Sequence, residues 1–388
     1  MATKRNTQEA KPVDLDLDEA ITRGWELPDI NLKEIRDSIP AHCFRRDTFR
    51  SFTYVLHDFT LIAIIGYGAT WIDTLSSTPL RYLLWNLYWI AQGIVATGVW
   101  MLGHECGHQA FSPSKTINDT VGMILHCGLL VPYFSWKFSH SRHHKSTGHL
   151  TRDTAFVPRT RSSYGLPPLN EDPEMDGPHS VFEETPIVLL FDVFKFLFFG
   201  WPYHLLTNAA AQKGSGWMSH FNPNCEIFED SQRAEVFQSI IGVFSVIGGL
   251  FYASSIYGSM AVIKFYVVPY FYVHAWLILI TFLQHTHYDL PHYTAKTWNF
   301  QRGASLTVDR SFGTILNHFH HHICDTHVAH HFFSNMPHYH AEEATAHIKK
   351  SLGKHYHYDA TPIPVALFST WKSCRFVEDT GDVRFYKN

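Results

Sequence analysis

The sequence predicts an all-α polytopic membrane protein with four transmembrane helices in two hairpins and a cytosolic, histidine-rich domain. Three observations carry that prediction. Four apolar runs have span length, lysine and arginine are distributed unevenly around them, and three histidine clusters repeat at helical spacing.

The apolar runs are 52–75, 83–102, 236–257 and 265–283. The first contains LIAIIGYGATWI, and the second has no charge in twenty residues. The third and fourth are also uncharged, and the fourth holds Pro269 and His274. Each covers a hydrocarbon core of ~30 Å as a helix. The connections 76–81 and 258–264 are short, so each pair crosses and returns. Lys33, Arg36, Arg45, Arg46 and Arg50 precede the first run, and Lys137, Arg142, Lys145, Arg152, Arg159 and Arg161 lie between the hairpins. The positive-inside bias therefore puts the N-terminus, the middle segment and the C-terminus in the cytosol. The predicted division is a cytosolic N-terminal segment, 1–50, and a membrane domain, 51–388.

Two shorter features lie in the middle segment. The apolar stretch 122–134 is too short to span and is expected at the interface or as a re-entrant element. The stretch 187–206 is long enough to span, but Asp192 and Lys195 interrupt it, so it reads as an interfacial helix. One extra span would invert everything after it. Between them, 158–186 is rich in Pro, Ser, Gly and acidic residues and reads as a surface loop.

Composition narrows the function classes. Lys and Arg number 31 against 35 Asp and Glu, a formal charge of −4 with no basic block, which argues against a nucleic-acid partner. With 45% hydrophobic and 17% charged residues, a disordered chain is excluded. Six scattered cysteines without a CxxC pair suit a reducing compartment rather than a disulfide framework or zinc ribbon. The unusual count is 28 histidines.

Eight of these form three clusters: His104 and His108 in HECGH, His140, His143 and His144 in HSRHH, and His327, His330 and His331 in HVAHH. On a helix, positions i, i+3 and i+4 share a face, so each cluster aims two or three imidazoles in one direction. Four spans put all three clusters on the same side of the membrane, with the first at its surface. Eight imidazoles exceed the three or four ligands of one zinc. They suit two metals, each with an open position, and imidazole by itself accepts Zn, Cu, Fe or Ni. His285, at the cytosolic end of the fourth run, is at the depth of His104 and is preferred to His287 as a further ligand. The other histidines read as surface or satisfied core residues. They include His318, His320, His321 and His322, although His321 is near enough to the third cluster for a supporting role. Taken alone, HECGH is also the H-E-x-x-H signature of a zinc protease, with Glu105 as general base. That reading leaves the other clusters idle. A metal transporter would instead carry its ionisable groups at mid-depth within the spans.

The three clusters around two membrane hairpins resemble the histidine boxes of the membrane fatty acyl desaturases, and most closely those of the fungal and plant microsomal Δ12 (oleate) desaturases and their ω3 relatives. The matching stretches are IPAHCF (39–44), HECGHQAFS (104–112), LLVPYFSW (129–136), HSRHHKSTGH (140–149), FLQHT (282–286), TVDRSFG (307–313), DTHVAHHFFSNMPHYHAEEAT (325–345) and CRFVEDTGDV (374–383). The resemblance implies a non-haem centre of two Fe held by the eight box histidines and His285. It implies O2 as co-substrate and an endoplasmic-reticulum membrane enzyme that converts oleoyl chains, on phospholipid or CoA, to linoleoyl. It also implies electrons from cytochrome b5 and its NADH-dependent reductase; with no HPGG haem motif in the sequence, the donor is expected to be a separate protein. Gln109 after HECGH favours the Δ12 branch, since ω3 relatives often have Gly there. Bifunctional Δ12/ω3 desaturation and hydroxylation stay open, because either needs few substitutions.

The chemistry explains why such parts are needed. No side chain deprotonates an unactivated methylene, so hydrogen removal needs an oxidant made from O2 at a redox metal. Soluble di-iron proteins use carboxylates and Glu-x-x-His on a four-helix bundle, a fold not assumed for an all-histidine set. Groups that orient the imidazoles are expected, with Asp153, Asp309, Asp325 and Glu105 as candidates, plain structural carboxylates being the alternative for the aspartates. Arg142 and Lys145 could meet a lipid headgroup or acidic cytochrome b5, or could simply be solvated. Trp100, Phe111, Phe134 and Trp136 are candidates for the wall of an acyl slot, against the alternative of facing lipid.

Overall fold

The computed structural model describes residue 20 and residues 22–168 and 185–388. The first nineteen residues of the predicted cytosolic segment and the central part of the loop 158–186 lie outside the described residues.

The first four helices start at side-chain caps. Asn31 caps α1 (Leu32–Ser38) by accepting from the Lys33 and Glu34 N–H groups, and Asp47 caps α2 (Thr48–Ala69) by accepting from Arg50 N–H. Ser77 caps the 30-residue α3 (Thr78–Gly107), which begins with proline in its first turn, and Ser114 caps α4 (Lys115–Gly128). The 14-residue, histidine-bearing α5 (Tyr133–Ser146) is followed by the long apolar helices α6 (Pro186–Thr207), α7 (Arg233–Tyr257) and α8 (Val268–His285). Ahead of α8 the chain already winds helically from Ser259, with a π-helical stretch at Ile263–Val267. That widening directly precedes Pro269, which has no N–H to give the ladder. The C-terminal third adds α9 (His327–Phe332), α10 (Ala341–Leu352), α11 (Ile363–Ser373) and a two-stranded antiparallel sheet pairing His292–Tyr293 with Val383–Arg384.

Helix α3 is the axis of the molecule, with α2, α4 and α8 packed around it. Its second half is almost wholly buried, from Gln92 to Cys106. Gly93 permits the close approach of α8: a Cβ there would sit 2.3 Å from Tyr272 Cβ. Leu56, Ile64, Ile187, Phe191, Phe244 and Phe251 face outward on α2, α6 and α7, the surface a bilayer would cover.

Four described helical stretches are long and apolar enough to cross a membrane: Thr48–Thr74, Pro186–Thr207, Asp230–Tyr257 and Ser259–His285. Three coincide with the first, third and fourth predicted runs. The second run lies inside α3, a single long helix made less apolar by residues such as Asn86 and Gln92. The stretch read as interfacial is an unbroken 22-residue helix, α6, of span quality. Its two charges pair with each other, Lys195 Nζ lying 2.7 Å from Asp192 Oδ1. The segments before and after α6 are bonded together, Val157 N–H to the Ala210 carbonyl (3.1 Å) and Gln212 Nε2 to the Leu150 carbonyl (2.9 Å). The C-terminal end of α6 therefore lies at the face where the histidines lie. The stretch 122–134 is the elbow of α4 and α5, two helices bent by 107°.

The hairpins join at their far ends. Lys264 Nζ lies 2.6 Å from Asp73 Oδ2, Trp85 Nε1 donates to Asp73 Oδ1 (2.9 Å), and Trp89 Nε1 donates to the Lys264 carbonyl (2.9 Å). The second hairpin opens beyond its tip: α7 leans on the α4–α5 elbow, whereas α8 packs on α3 and α6.

Candidate metal centre

Four helices deliver the clustered histidines to one place. His104 and His108 are one turn apart at the end of α3. His140, His143 and His144 occupy the last half of α5, His285 ends α8, and His327, His330 and His331 lie on the short α9. His104, His108, His140, His144 and His330 form one group whose ligand atoms all lie within 4.8 Å of one another, and His143, His285 and His331 form a second such group. His327 belongs beside the second group, its Nε2 being 2.9 Å from His285 Nε2.

The nitrogens meet face to face. His108 Nε2 is 3.3 Å from His104 Nε2, His144 Nε2 is 3.1 Å from His140 Nε2, and His143 Nε2 is 3.4 Å from His285 Nε2. The buried Nε2 atoms of His330 and His331 have no hydrogen-bond partner. Two neutral imidazoles can share at most one proton between facing nitrogens, and orphaned buried nitrogens are costly. Such a concentration of lone pairs fits cations better than hydrogen bonds. Burial, reinforced by repulsion among the imidazoles, lowers the basicity of His140, His144, His327 and His331 well below the ordinary value, and lowers His330 to about 3. Those five imidazoles are therefore neutral at physiological pH, the state a metal requires.

Outer contacts fix two rings. Asp153 Oδ1 accepts from His143 Nδ1 (2.7 Å) and Ala155 N–H (3.1 Å), and Asp153 Oδ2 accepts from Gly148 N–H (2.9 Å). Thr147 Oγ1 donates to the His143 carbonyl (2.8 Å), which leaves it to accept from His331 Nδ1 (3.2 Å). Both contacts hold a proton on Nδ1 and free Nε2.

The remaining candidates sort differently. Asp309 touches no clustered imidazole. Its Oδ1 accepts from Val328 N–H (2.8 Å) and its Oδ2 from Tyr356 O–H (2.6 Å), which anchors the start of α9. Asp325 accepts from Asn317 Nδ2 (2.8 Å) and pairs with His322, away from the cluster. Glu105 Oε2 accepts the backbone N–H of His338 (2.9 Å), so it tethers the segment after the third cluster instead of orienting a clustered ring. A zinc protease needs that carboxylate at the metal, and this geometry removes the protease reading. His321 pairs with Asp58 (2.8 Å) on α2, and His287 with Asp359 (3.4 Å). Lys145 is exposed and Arg142 half-buried.

A cavity of about 430 Å3 opens beside the histidines and is lined by His104, His140, His143, His285 and His327 together with apolar side chains. Trp100 and Trp136 line it as expected, and Trp136 stacks on His140 with ring centroids 4.5 Å apart. Phe111 and Phe134 do not. They pack with Cys106 and Tyr133 on the far side of α3 and α5. The fold adds Trp201 and His204 from α6, Phe156 and the C-terminal Tyr386, which no sequence pattern had singled out, and Arg375 from the matched stretch CRFVEDTGDV. It also explains TVDRSFG: the fully buried Arg310 donates Nε to the Leu283 carbonyl (3.2 Å) and pairs with Asp359 (2.6 Å), fixing the end of α8 that bears His285. Gln109 lies outside the cavity at φ 61°, its Nε2 bonded to the Cys106 carbonyl (3.0 Å).

Comparison with known proteins agrees with the site. The profile of the family "Fatty acid desaturase" matches residues 80–362. A Delta(12) fatty acid desaturase of Mortierella alpina is 52% identical over 372 residues, 95% of this chain and 93% of the relative. A Delta(12)-fatty-acid desaturase of Arabidopsis thaliana is 42% identical over 368 residues, covering 94% and 93%. An oleate hydroxylase of Claviceps purpurea is 41% identical over 391 residues, covering 93% and 81%. With a histidine cluster suited to metal, a lipid-facing helical surface and likeness over nearly its whole length, the chain belongs to the fatty acid desaturase family.

Proposed function

We propose that this protein is a Δ12 fatty acyl desaturase of the endoplasmic-reticulum membrane that converts oleoyl chains to linoleoyl, using O2 and two electrons from cytochrome b5 and its NADH-dependent reductase. The observation that carries this reading is the convergence of nine imidazoles beside an aromatic-lined cavity, five of them, His104, His140, His143, His285 and His327, in its wall. The five-histidine group and the four around His285 would hold two irons, with His104, His108, His140, His144 and His330 on one and His143, His285, His327 and His331 on the other. Iron so held supplies the redox chemistry that hydrogen removal from a methylene requires. The chain's own side chains do the rest. Trp100, Trp136 and Trp201 give the acyl chain an apolar seat and exclude water. Asp153 and Thr147 hold protons on the Nδ1 atoms of His143 and His331. In balance, O2 accepts two hydrogens from the acyl CH2–CH2 unit, and two electrons and two protons from outside, and leaves as two waters. The positive-inside bias supports a cytosolic site facing the electron donor.

The test is expression in a eukaryotic host that makes oleate but no linoleate, with double bonds located by mass spectrometry of the fatty acid esters. Linoleate is the expected product. A trienoic product from fed linoleate would move the protein to the ω3 branch, and a hydroxylated oleate would favour the chemistry named for the Claviceps relative. No product from either substrate would refute the reading.

A further inference from the structure

Two of the stretches matched by sequence, IPAHCF and the end of HYHAEEAT, play no part in the centre described above, yet the fold brings them together. His42 and Cys43 lie on the 3-10 turn Ala41–Phe44, His340 is the residue before α10, and Glu343 is in the first turn of α10. One ligand atom from each of these four residues lies within 4.8 Å of every other. His42 Nε2 is 2.8 Å from Glu343 Oε2, and the rings of His42 and His340 are edge to face with centroids 5.5 Å apart. Cys43 is completely buried, whereas His42 and Glu343 are half-exposed, so an ion has access from solvent.

We propose that His42, Cys43, His340 and Glu343 form a structural zinc site, separate from the histidine centre, that clamps the amino-terminal segment to the helix following the third box. The donor set is one sulfur, two imidazole nitrogens and one carboxylate oxygen. That set selects a borderline ion and disfavours Mg2+ and Ca2+, which want oxygen. Four ligands with none left open is the pattern of a structural zinc. Tetrahedral bonds of about 2.0–2.3 Å put ligand atoms roughly 3.3–3.8 Å apart, so closing from the observed spacing needs only small rotations of the half-exposed His42 and Glu343. Cys43 stands as a protonated thiol, raised by burial to about 11, and zinc binding would displace that proton. The clamp would matter because Ile35, Ile39 and Cys43 belong to one buried apolar cluster with Val328 and Ala329 of the third box and Ile348 of α10.

The experiment uses the full-length iron-loaded protein in detergent, incubated with zinc chloride, desalted, and assayed for zinc and iron by mass spectrometry. The expected result is about one zinc per chain with iron unchanged, and a zinc K-edge spectrum with one sulfur scatterer near about 2.3 Å. Sulfur is diagnostic, because none of the nine clustered ligands supplies it. The surface double variant His42→Gln/Glu343→Gln should lose zinc at least about fivefold while keeping its iron, and Cys43→Ser should lose the sulfur signal. Absence of retained zinc would overturn the proposal. So would zinc with only nitrogen and oxygen scatterers, zinc gained at the expense of iron, or wild-type zinc in the double variant.

Discussion

Replacing Asp153 by Asn changes one atom and sets two buried donors against each other. One carboxylate oxygen serves His143 Nδ1 and Ala155 N–H, and the other serves Gly148 N–H. An asparagine has one acceptor oxygen. If that oxygen stays with His143, the new NH2 faces Gly148 N–H, and a buried unsatisfied donor costs about 1–3 kcal/mol of stability. If the amide flips, His143 loses the partner that keeps its proton on Nδ1, and loss of such an outer contact weakens metal affinity about 10–100-fold. That range corresponds to ~1.4–2.7 kcal/mol. Either rotamer therefore produces a loss on that scale, divided between melting temperature and iron affinity. The assay is chelator competition on detergent-purified protein, read as iron per chain, beside a thermal melt. Asp325→Asn is the control, since Asp325 holds Asn317 and His322 and touches none of the nine histidines. It should keep wild-type iron. An Asp153→Asn protein with unchanged iron affinity and unchanged melting temperature would refute the claim that this carboxylate sets the His143 tautomer.

Further tests address other parts of the molecule. His108→Ala and His330→Ala should each abolish the desaturated product and lower iron content while the protein stays in the membrane fraction; retained activity would break the ligand assignment. Glu105→Gln should keep appreciable activity, because a glutamine oxygen can still accept the His338 N–H that Glu105 binds at 2.9 Å. Gly93→Ala would place a methyl group 2.3 Å from Tyr272 Cβ, and such overpacking should cost about 1–3 kcal/mol, visible as a lowered melting temperature. Acid should destabilise the iron-free protein. His330 titrates at about 3 when folded, whereas an unfolded histidine titrates near about 6.5. Between those values the unfolded chain binds more protons, so stability is present above about pH 6.5 and is lost as the pH falls. A melting temperature equal at about pH 7.5 and about pH 5.5 would contradict that sign.

Local sequence spacing carried much of the site, because i, i+3 and i+4 geometry is enforced by the helix itself. It told which imidazoles point together within α3, α5 and α9. It could not tell which outer groups they would meet. Asp153 and Asp325 are both near boxes in sequence, but only Asp153 reaches a clustered ring, because the turn after α5 folds back on it. The same limit separates Trp100 and Trp136, which line the cavity, from Phe111 and Phe134, which pack elsewhere. Asp58 and His321 meet across 263 residues, a distance over which no periodicity speaks. The α6 stretch has span quality despite its two charges for a local reason. Asp192 and Lys195 read as two charges, although three residues apart on a helix they neutralise each other.

The ligands come from four helices, and the first and last, His104 and His331, are 331 − 104 = 227 residues apart. Metal in that centre would thus act as a cross-link closing most of the chain into loops, joining the ends of α3 and α8 to α5 and α9. Because an ion that binds only the folded state stabilises it by mass action, iron supply would govern how long the protein survives as well as how fast it turns over. If iron is the metal held there, a cell short of it would lose the protein itself by degradation of the unloaded chain, and not only its turnover.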